Sequence, residues 1–451
     1  MYLLDTNVVS ELRKRKPHGA VVRWVKDVSD ADLHISSVTI GEIQAGIEVT
    51  REQDEAKATE LEQWLALVSG SFNVIPMDAA AFRVWARLMY KALTLCALAA
   101  LAALAGITTG GAMAQSTVTL AGVMDLSARS TNNSNGTLKS LSSGNNSTSR
   151  LIFRGSEDLG GGPRAGFWLE GSLQADTGVG GTGTQFWDRQ ATVSLSGPFG
   201  EVRMGRDWTP VYYGFVFADP WINVGVGSGT NFLNASVATT YQRAFGSALN
   251  PTTLSRSSNA VEYWLPPNLG GLYGSLMLAP SEGSNATGGF RYTAGRLGYR
   301  GGPVDVSVYT GATKIAATNQ SLKQTGALGS YTFGGTTTLM LSITNSDYLT
   351  SKHTHLMAGV RANLGPWVLK ASYNRLDQKG QNAAGASIDG NDAHQWAVGA
   401  DYLLSKRTVV YATTARLSNS GIAAFAVPGG PGLAAAGSSS SGYEAGIRHS
   451  F

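Results

Sequence analysis

From Ser116 onward, polar and apolar side chains alternate in short runs separated by Gly-rich polar stretches. Val118 and Leu120 share one face of the first run. In Ser149–Gly155, Leu151 and Phe153 face one way, and Arg150 and Arg154 the other. In Ala165–Gly171, Phe167 and Leu169 oppose Glu170. A period of two puts successive side chains on opposite faces of a strand. The pattern recurs over 290–299, 304–310, 337–344, 367–373, 396–403, 408–414 and 443–451. A face that is polar in so many strands suits a water-filled lumen better than a packed core. The expectation is a mainly β protein closed into an antiparallel barrel, with a soluble β-sandwich or a β-helix as alternatives.

The opening 88 residues follow another rhythm. Tyr2–Leu4 is a short apolar run ending at the acid Asp5, followed by a helix start. Glu42 lies in a second helical stretch, and 52–68 is amphipathic at helical spacing. Phe72–Asp78 reads as a second buried strand. Alternating strands and helices predict a small α/β unit with a parallel sheet.

Between the two lies an uncharged apolar run, Ala92–Ile107, led by Met89 and Lys91. It is short for a spanning helix. Ala112 and Ala114 then form an A-x-A cleavage site before Gln115, so 89–114 reads as an export signal in place of a buried Ala-rich helix. Cys96, the single cysteine, sits inside it, which excludes a disulfide framework and a thiolate zinc site. The expectation is that Met89 starts the exported chain, that 1–88 stem from an unrelated coding segment, and that the mature N-terminus is Gln115. The last strand ends in an aromatic, and counting back by twos from Phe451 gives His449, Ile447, Ala445 and Tyr443. A terminal aromatic of this sort is how barrels of the Gram-negative outer membrane end, so Phe451, Ile447 and Tyr443 are the candidate assembly signal. Tyr213, Tyr263, Trp264, Tyr348, Trp367 and Tyr443 are candidates for interfacial girdles.

Composition sharpens this. Glycine is abundant at 56 residues and charged residues make up 15%. Residues 1–114 carry 11 Lys+Arg against 13 Asp+Glu, and residues 115–451 carry 24 against 18, a net of +6. No nucleotide loop, catalytic triad or metal cluster appears in the barrel region, and the glycine run 160–162 reads as a turn. No cofactor is expected.

Leu3-Leu-Asp-Thr-Asn and Thr39-Ile-Gly-Glu-Ile-Gln resemble the PIN-domain ribonucleases, especially toxins of toxin–antitoxin pairs. The resemblance implies that Asp5 and Glu42 match the first two acids that hold Mg²⁺ or Mn²⁺ against an RNA phosphodiester. Asp78 matches an acid of a β-α junction. The family's later acids fall beyond the point where the match ends, so the expectation is a vestigial fragment with an uncovered sheet edge.

Thr148-Ser-Arg-Leu-Ile-Phe-Arg-Gly-Ser-Glu-Asp-Leu-Gly, Phe186-Trp-Asp-Arg-Gln-Ala, Ser196-Gly-Pro-Phe-Gly-Glu-Val-Arg-Met-Gly-Arg and Leu404-Ser-Lys-Arg-Thr look like the trimeric porins of β-proteobacteria. That resemblance implies a 16-stranded transmembrane β-barrel, a homotrimer among outer-membrane lipid and lipopolysaccharide, insertion by the barrel-assembly machinery, and no nucleic-acid partner. It also implies a constriction where the third external loop faces arginines. Motif position assigns Arg150, Arg189 and Arg256 to that cluster, and parity adds Arg154. Simple alternation with Ala191, Val193 and Leu195 would instead turn Arg189 outward. The loop should lie within 211–242, where the one acid is Asp219. Guanidinium stays charged at every relevant pH, so small anions and hydrophilic solutes are the expected traffic, with a modest preference for anions.

Overall fold

The computed structural model describes residues 2–75, except 5, 12, 14–16 and 52–53, and residues 117–451, except 182–184, 234–238, 246–251, 281–289, 317 and 433. The predicted export signal, Cys96, Gln115, Asp5 and Asp78 lie outside the described residues, as does the side chain of Glu42. The chain divides into two compact units, 1–109 and 110–451.

The first unit has a parallel sheet of β1 (Tyr2–Leu4), β2 (Leu33–Ser36) and β3 (Asn73–Ile75), in that order. Its helices are α1 (Thr6–Glu11), α2 (Gly19–Asp27), α3 (Ser37–Arg51) and α4 (Glu55–Ser71). Leu4, Val9, Leu33, Ile35 and Val68 form its core. Asp54 caps α4 by accepting a hydrogen bond from the Lys57 amide at 2.9 Å, which satisfies one of the orphan donors of the first turn. The central strand, β2, is an addition to the two expected strands, and at four residues it is too short to show a period. One expectation needs correction. The strand predicted as buried, β3, leaves Val74 39% exposed at the sheet edge.

The second unit is a closed antiparallel barrel of sixteen staves. Its first strand, Thr117–Asn133, pairs with the last, Ser440–Ser450, and so closes the wall. The second stave is split into Gly136–Ser143 and Arg150–Asp158, both paired with the first strand. The segment 144–149 between them turns inward because Asp125 holds it: its Oδ2 accepts the amides of Asn146 (2.6 Å) and Ser147 (2.7 Å). Gly144, at φ +75°, opens that excursion.

Alternation is strict where the text alternates. Leu339, Leu341 and Ile343 are exposed on the outer face, while Ser342 and Thr344, at alternate positions, point inward and are buried. The outer face therefore meets an apolar surrounding and the inner face a polar one. Trp367, Tyr443 and Phe451 lie on the outside. Phe451 closes the wall by exchanging backbone hydrogen bonds with Gly122, and its ring covers that glycine, where a Cβ would clash with it. Tyr213, Trp264 and Tyr348 are not girdle residues: Tyr213 sits on an inner loop, Trp264 packs against Tyr213, and Tyr348 is buried. Tyr263 and Trp264 are neighbours on one strand and cannot share a face.

The long connection Thr209–Ser255 folds into the barrel. It begins with α5 (Pro210–Val216), capped by Thr209 and started by Pro210 at its first position, both favourable there. Val211 packs with Met277, Tyr292, Ala294 and Tyr309 of the wall, and Gly214 lies against the Tyr309 ring. Farther on, Trp221, Val226 and Phe232 join Ala397, Ala415 and Leu417 of the wall and Phe425 of the inward segment 421–439 in one buried apolar cluster. Two loops thus fill one side of the barrel and leave open space along the other.

Candidate functional site

The open side narrows to a cavity of about 580 Å³, lined by Arg150, Arg189, Arg203, Arg256 and Arg448 together with Trp168, Trp208, Tyr212, Tyr213 and the loop tip Ile222–Val224. Three of the four arginines assigned from sequence therefore meet. Arg150 and Arg256 come from the second and sixth staves of the wall, on the strands Arg150–Asp158 and Arg256–Trp264. Arg189 immediately precedes the strand Gln190–Gly197. Because it lies outside the paired ladder, alternation with Ala191 and Val193 does not bind it, which resolves the conflict over its direction. Its amide still donates to the Glu170 carbonyl at 3.1 Å, so the residue is fixed. Arg154 does not reach the cavity. Its guanidinium stacks on Trp168 at 5.1 Å and lines a neighbouring space with Glu201 and Arg203.

Asp219 is not a pore-facing acid. It is 2% exposed and accepts hydrogen bonds from the amides of Trp221 (3.0 Å), Asn223 (3.1 Å) and Gly229 (2.9 Å). It folds the loop tip, and burial pushes its carboxyl up to about 6. The lumen side of the loop is left without a carboxylate among the described residues that line the cavity.

The acid that does face the arginines is Glu170, whose inward parity was legible but whose pairing was not. Its Oε1 accepts from Arg189 Nε and lies 3.4 Å from Arg150 Nε. Its Oε2 accepts from Trp168 Nε1 at 3.1 Å. One carboxylate thus serves two guanidinium groups. Arg203 has its own acids, Glu201 at 3.0 Å and Asp207 at 3.2 Å. Arg256 donates Nε to the Arg189 carbonyl at 2.8 Å and stacks over Trp208 at 5.4 Å. It faces the cavity without an acid of its own among the described residues. The cavity remains positive.

Two arginines were missed. Arg448 alternates with Ile447, so the count back from Phe451 already turned it inward. Arg203 stands in the quoted Glu-Val-Arg-Met-Gly-Arg motif, on the face of Glu201. Trp208, five positions later, lines the same cavity from the last residue of that strand.

In the first unit, no group of three or more His, Cys, Asp or Glu able to hold a metal ion occurs among the described residues.

Comparison with known proteins follows this division. Residues 2–110 match the PIN domain family. Over 94 residues the chain is 31% identical to the plasmid stability protein StbB of Pseudomonas syringae pv. tomato, which covers 20% of this chain and 66% of that protein. The chain is 36% identical over 380 residues to outer membrane porin protein 32 of Delftia acidovorans, a match covering 79% of this chain and 99% of that one. The solved structure of an anion-selective porin from Comamonas acidovorans superposes with a TM-score of 0.65 at 31% identity, covering 75% of this chain and all of the other. OmpT of Vibrio cholerae shares the fold at a TM-score of 0.52 and 13% identity. With residues 97–422 matching the Gram-negative porin family and a closed sixteen-stave wall around a narrowed lumen, the chain belongs to the Gram-negative porins and forms a β-barrel channel of the outer membrane.

Proposed function

We propose that the barrel is a passive, anion-preferring channel for small hydrophilic solutes. The observation that carries this reading is the constriction itself: of the five arginines that line it, Arg150 and Arg189 share the carboxylate of Glu170 and Arg203 pairs with Glu201 and Asp207, while the facing loop tip Ile222–Val224 presents no carboxylate. A fixed positive field in a narrow lumen raises the local concentration of anions and lowers that of cations. The related Comamonas structure is described as anion-selective, which agrees. In planar bilayers under a salt gradient, reversal potentials should show chloride ahead of potassium. Replacing Arg150, Arg189 and Arg256 together by Gln should bring the ratio toward unity, and a cation preference in the unmodified channel would refute the reading.

The same reading includes a homotrimer and an export signal at 89–114 cleaved before Gln115. Cross-linking in the membrane tests the first. N-terminal sequencing of the membrane-embedded chain tests the second, and recovery of Met1 there would contradict it.

A second reading rests on the PIN match: a metal-dependent ribonuclease in the first unit. The chain covers 66% of the plasmid stability relative, and the residues that follow run into the porin match at 97. We expect no Mg²⁺-dependent cleavage of RNA by the full chain, beyond that of a variant carrying Asp5→Asn and Glu42→Gln.

A further inference from the structure

The constriction is not only positive. Where a loop carboxylate could stand, the inward loop presents Ile222, 48% exposed, on the cavity wall. Its backbone is left-handed at φ +53°, and the next residue, Asn223, is left-handed at φ +59°. A β-branched side chain in that region is a true outlier, and such strain persists where the surroundings enforce it. The enforcement is visible, since Asp219 grips the amides on both sides of Ile222. The fold therefore holds an apolar side chain out into a polar passage. The Asn223 side chain lines the same cavity, is nine-tenths buried, and among the described residues has no hydrogen-bond partner for its oxygen or nitrogen.

Opposite these stand guanidinium groups with unused donors. Arg189 and Arg256 engage through Nε, and among the described residues their Nη groups have no partner. Beside them, Trp208 and Tyr212 pack edge to face at 5.3 Å. Apolar walls with a few convergent polar groups are what a small-molecule site requires. A site for hydrated chloride needs none of the apolar part.

We infer that the constriction preferentially binds carboxylates that carry a flat aromatic body. The carboxylate takes the arginine Nη donors, for which planar bidentate geometry is favourable. The ring lies against Trp208, Tyr212 and Ile222, where it leaves water. This deepens the proposed anion-channel function and rests on it.

The test is single-channel recording on the protein purified from outer membranes, in potassium chloride, with sodium benzoate or sodium lactate added. Benzoate should interrupt the current at a half-blocking concentration about tenfold below that of lactate, the effect of burying a few apolar carbons. Ile222→Asn keeps a residue comfortable in the left-handed region and adds no charge, so the loop should still fold. It should weaken benzoate block about fivefold and leave lactate unchanged. Trp208→Leu should do the same. Equal block by benzoate and lactate in a channel that still prefers chloride overturns the aromatic preference alone. Absence of chloride preference sinks the anion-channel reading beneath it. Benzoate block unaltered by both substitutions overturns the assignment to this surface.

Discussion

At the scale of single residues, the decisive question was which charges face the lumen, and period two answers much of it. Arg150, Glu170 and Arg448 point where their parity puts them. Arg189 escaped that logic because it stands one position ahead of its strand, and Asp219 because a loop has no period at all. Nothing in the local text says that Asp219 turns back on the amides of its own loop. The pairing of Glu170 with two arginines was likewise hidden, since it joins residues from different strands. It yields a direct prediction. Glu170→Gln removes the shared counter-charge, which at about 4 Å in water is worth about 1 kcal/mol to a permeating ion. The chloride-to-potassium permeability ratio should rise by at least about fivefold in reversal-potential measurements, since the loss helps chloride and hinders potassium; an unchanged ratio would mean Glu170 is not felt in the lumen.

Among the elements, the strands were legible and the inner loops were not. Regular alternation over 337–344 or 367–373 marks a wall exposed to apolar surroundings outside and to water inside. The inward segments, Thr209–Ser255 and 421–439, carry Trp221, Phe232 and Phe425 with no period, because they pack on the wall and on each other through contacts far apart in sequence. The close approach of α5 to the wall depends on Gly214. A Cβ there would lie 2.1 Å from the Tyr309 ring. Gly214→Val should therefore lift α5 into the lumen while the barrel still assembles, and single-channel conductance should fall. Conductance equal to that of the unmodified channel would show that the helix is free to shift elsewhere. The first unit shows the opposite limit, since β1 and β3 were legible as apolar runs while β2, four residues long, has no period to announce it.

For the molecule as a whole, charge balance and composition gave the division into two units and the sign of the lumen, and neither could give the width of the passage. Selectivity that arises from fixed charge in water must respond to ionic strength. Raising the salt from about 0.1 M to about 1 M shortens the screening length from about 10 Å to about 3 Å. The proposed chloride preference should decline over that range, and a preference independent of salt would point to size exclusion instead of field.

The meeting of first and last strands has a consequence for how the channel matures. Arg129 of the first strand and Glu444 of the last form a buried ion pair at 3.3 Å across that line. Glu444 also accepts the amide of Val226, in the inward loop, at 3.2 Å, and Arg129 donates to Asn145 of the split second stave. Removing one partner of such a pair costs on the order of 3–5 kcal/mol. Glu444→Ala should accordingly lower the temperature at which the native band is lost in semi-native electrophoresis, and widen the current fluctuations before it does. Until the two ends of the wall are zipped together, the acceptor that pins the loop is not in place. Sealing the wall and narrowing the passage thus draw on the same carboxylate.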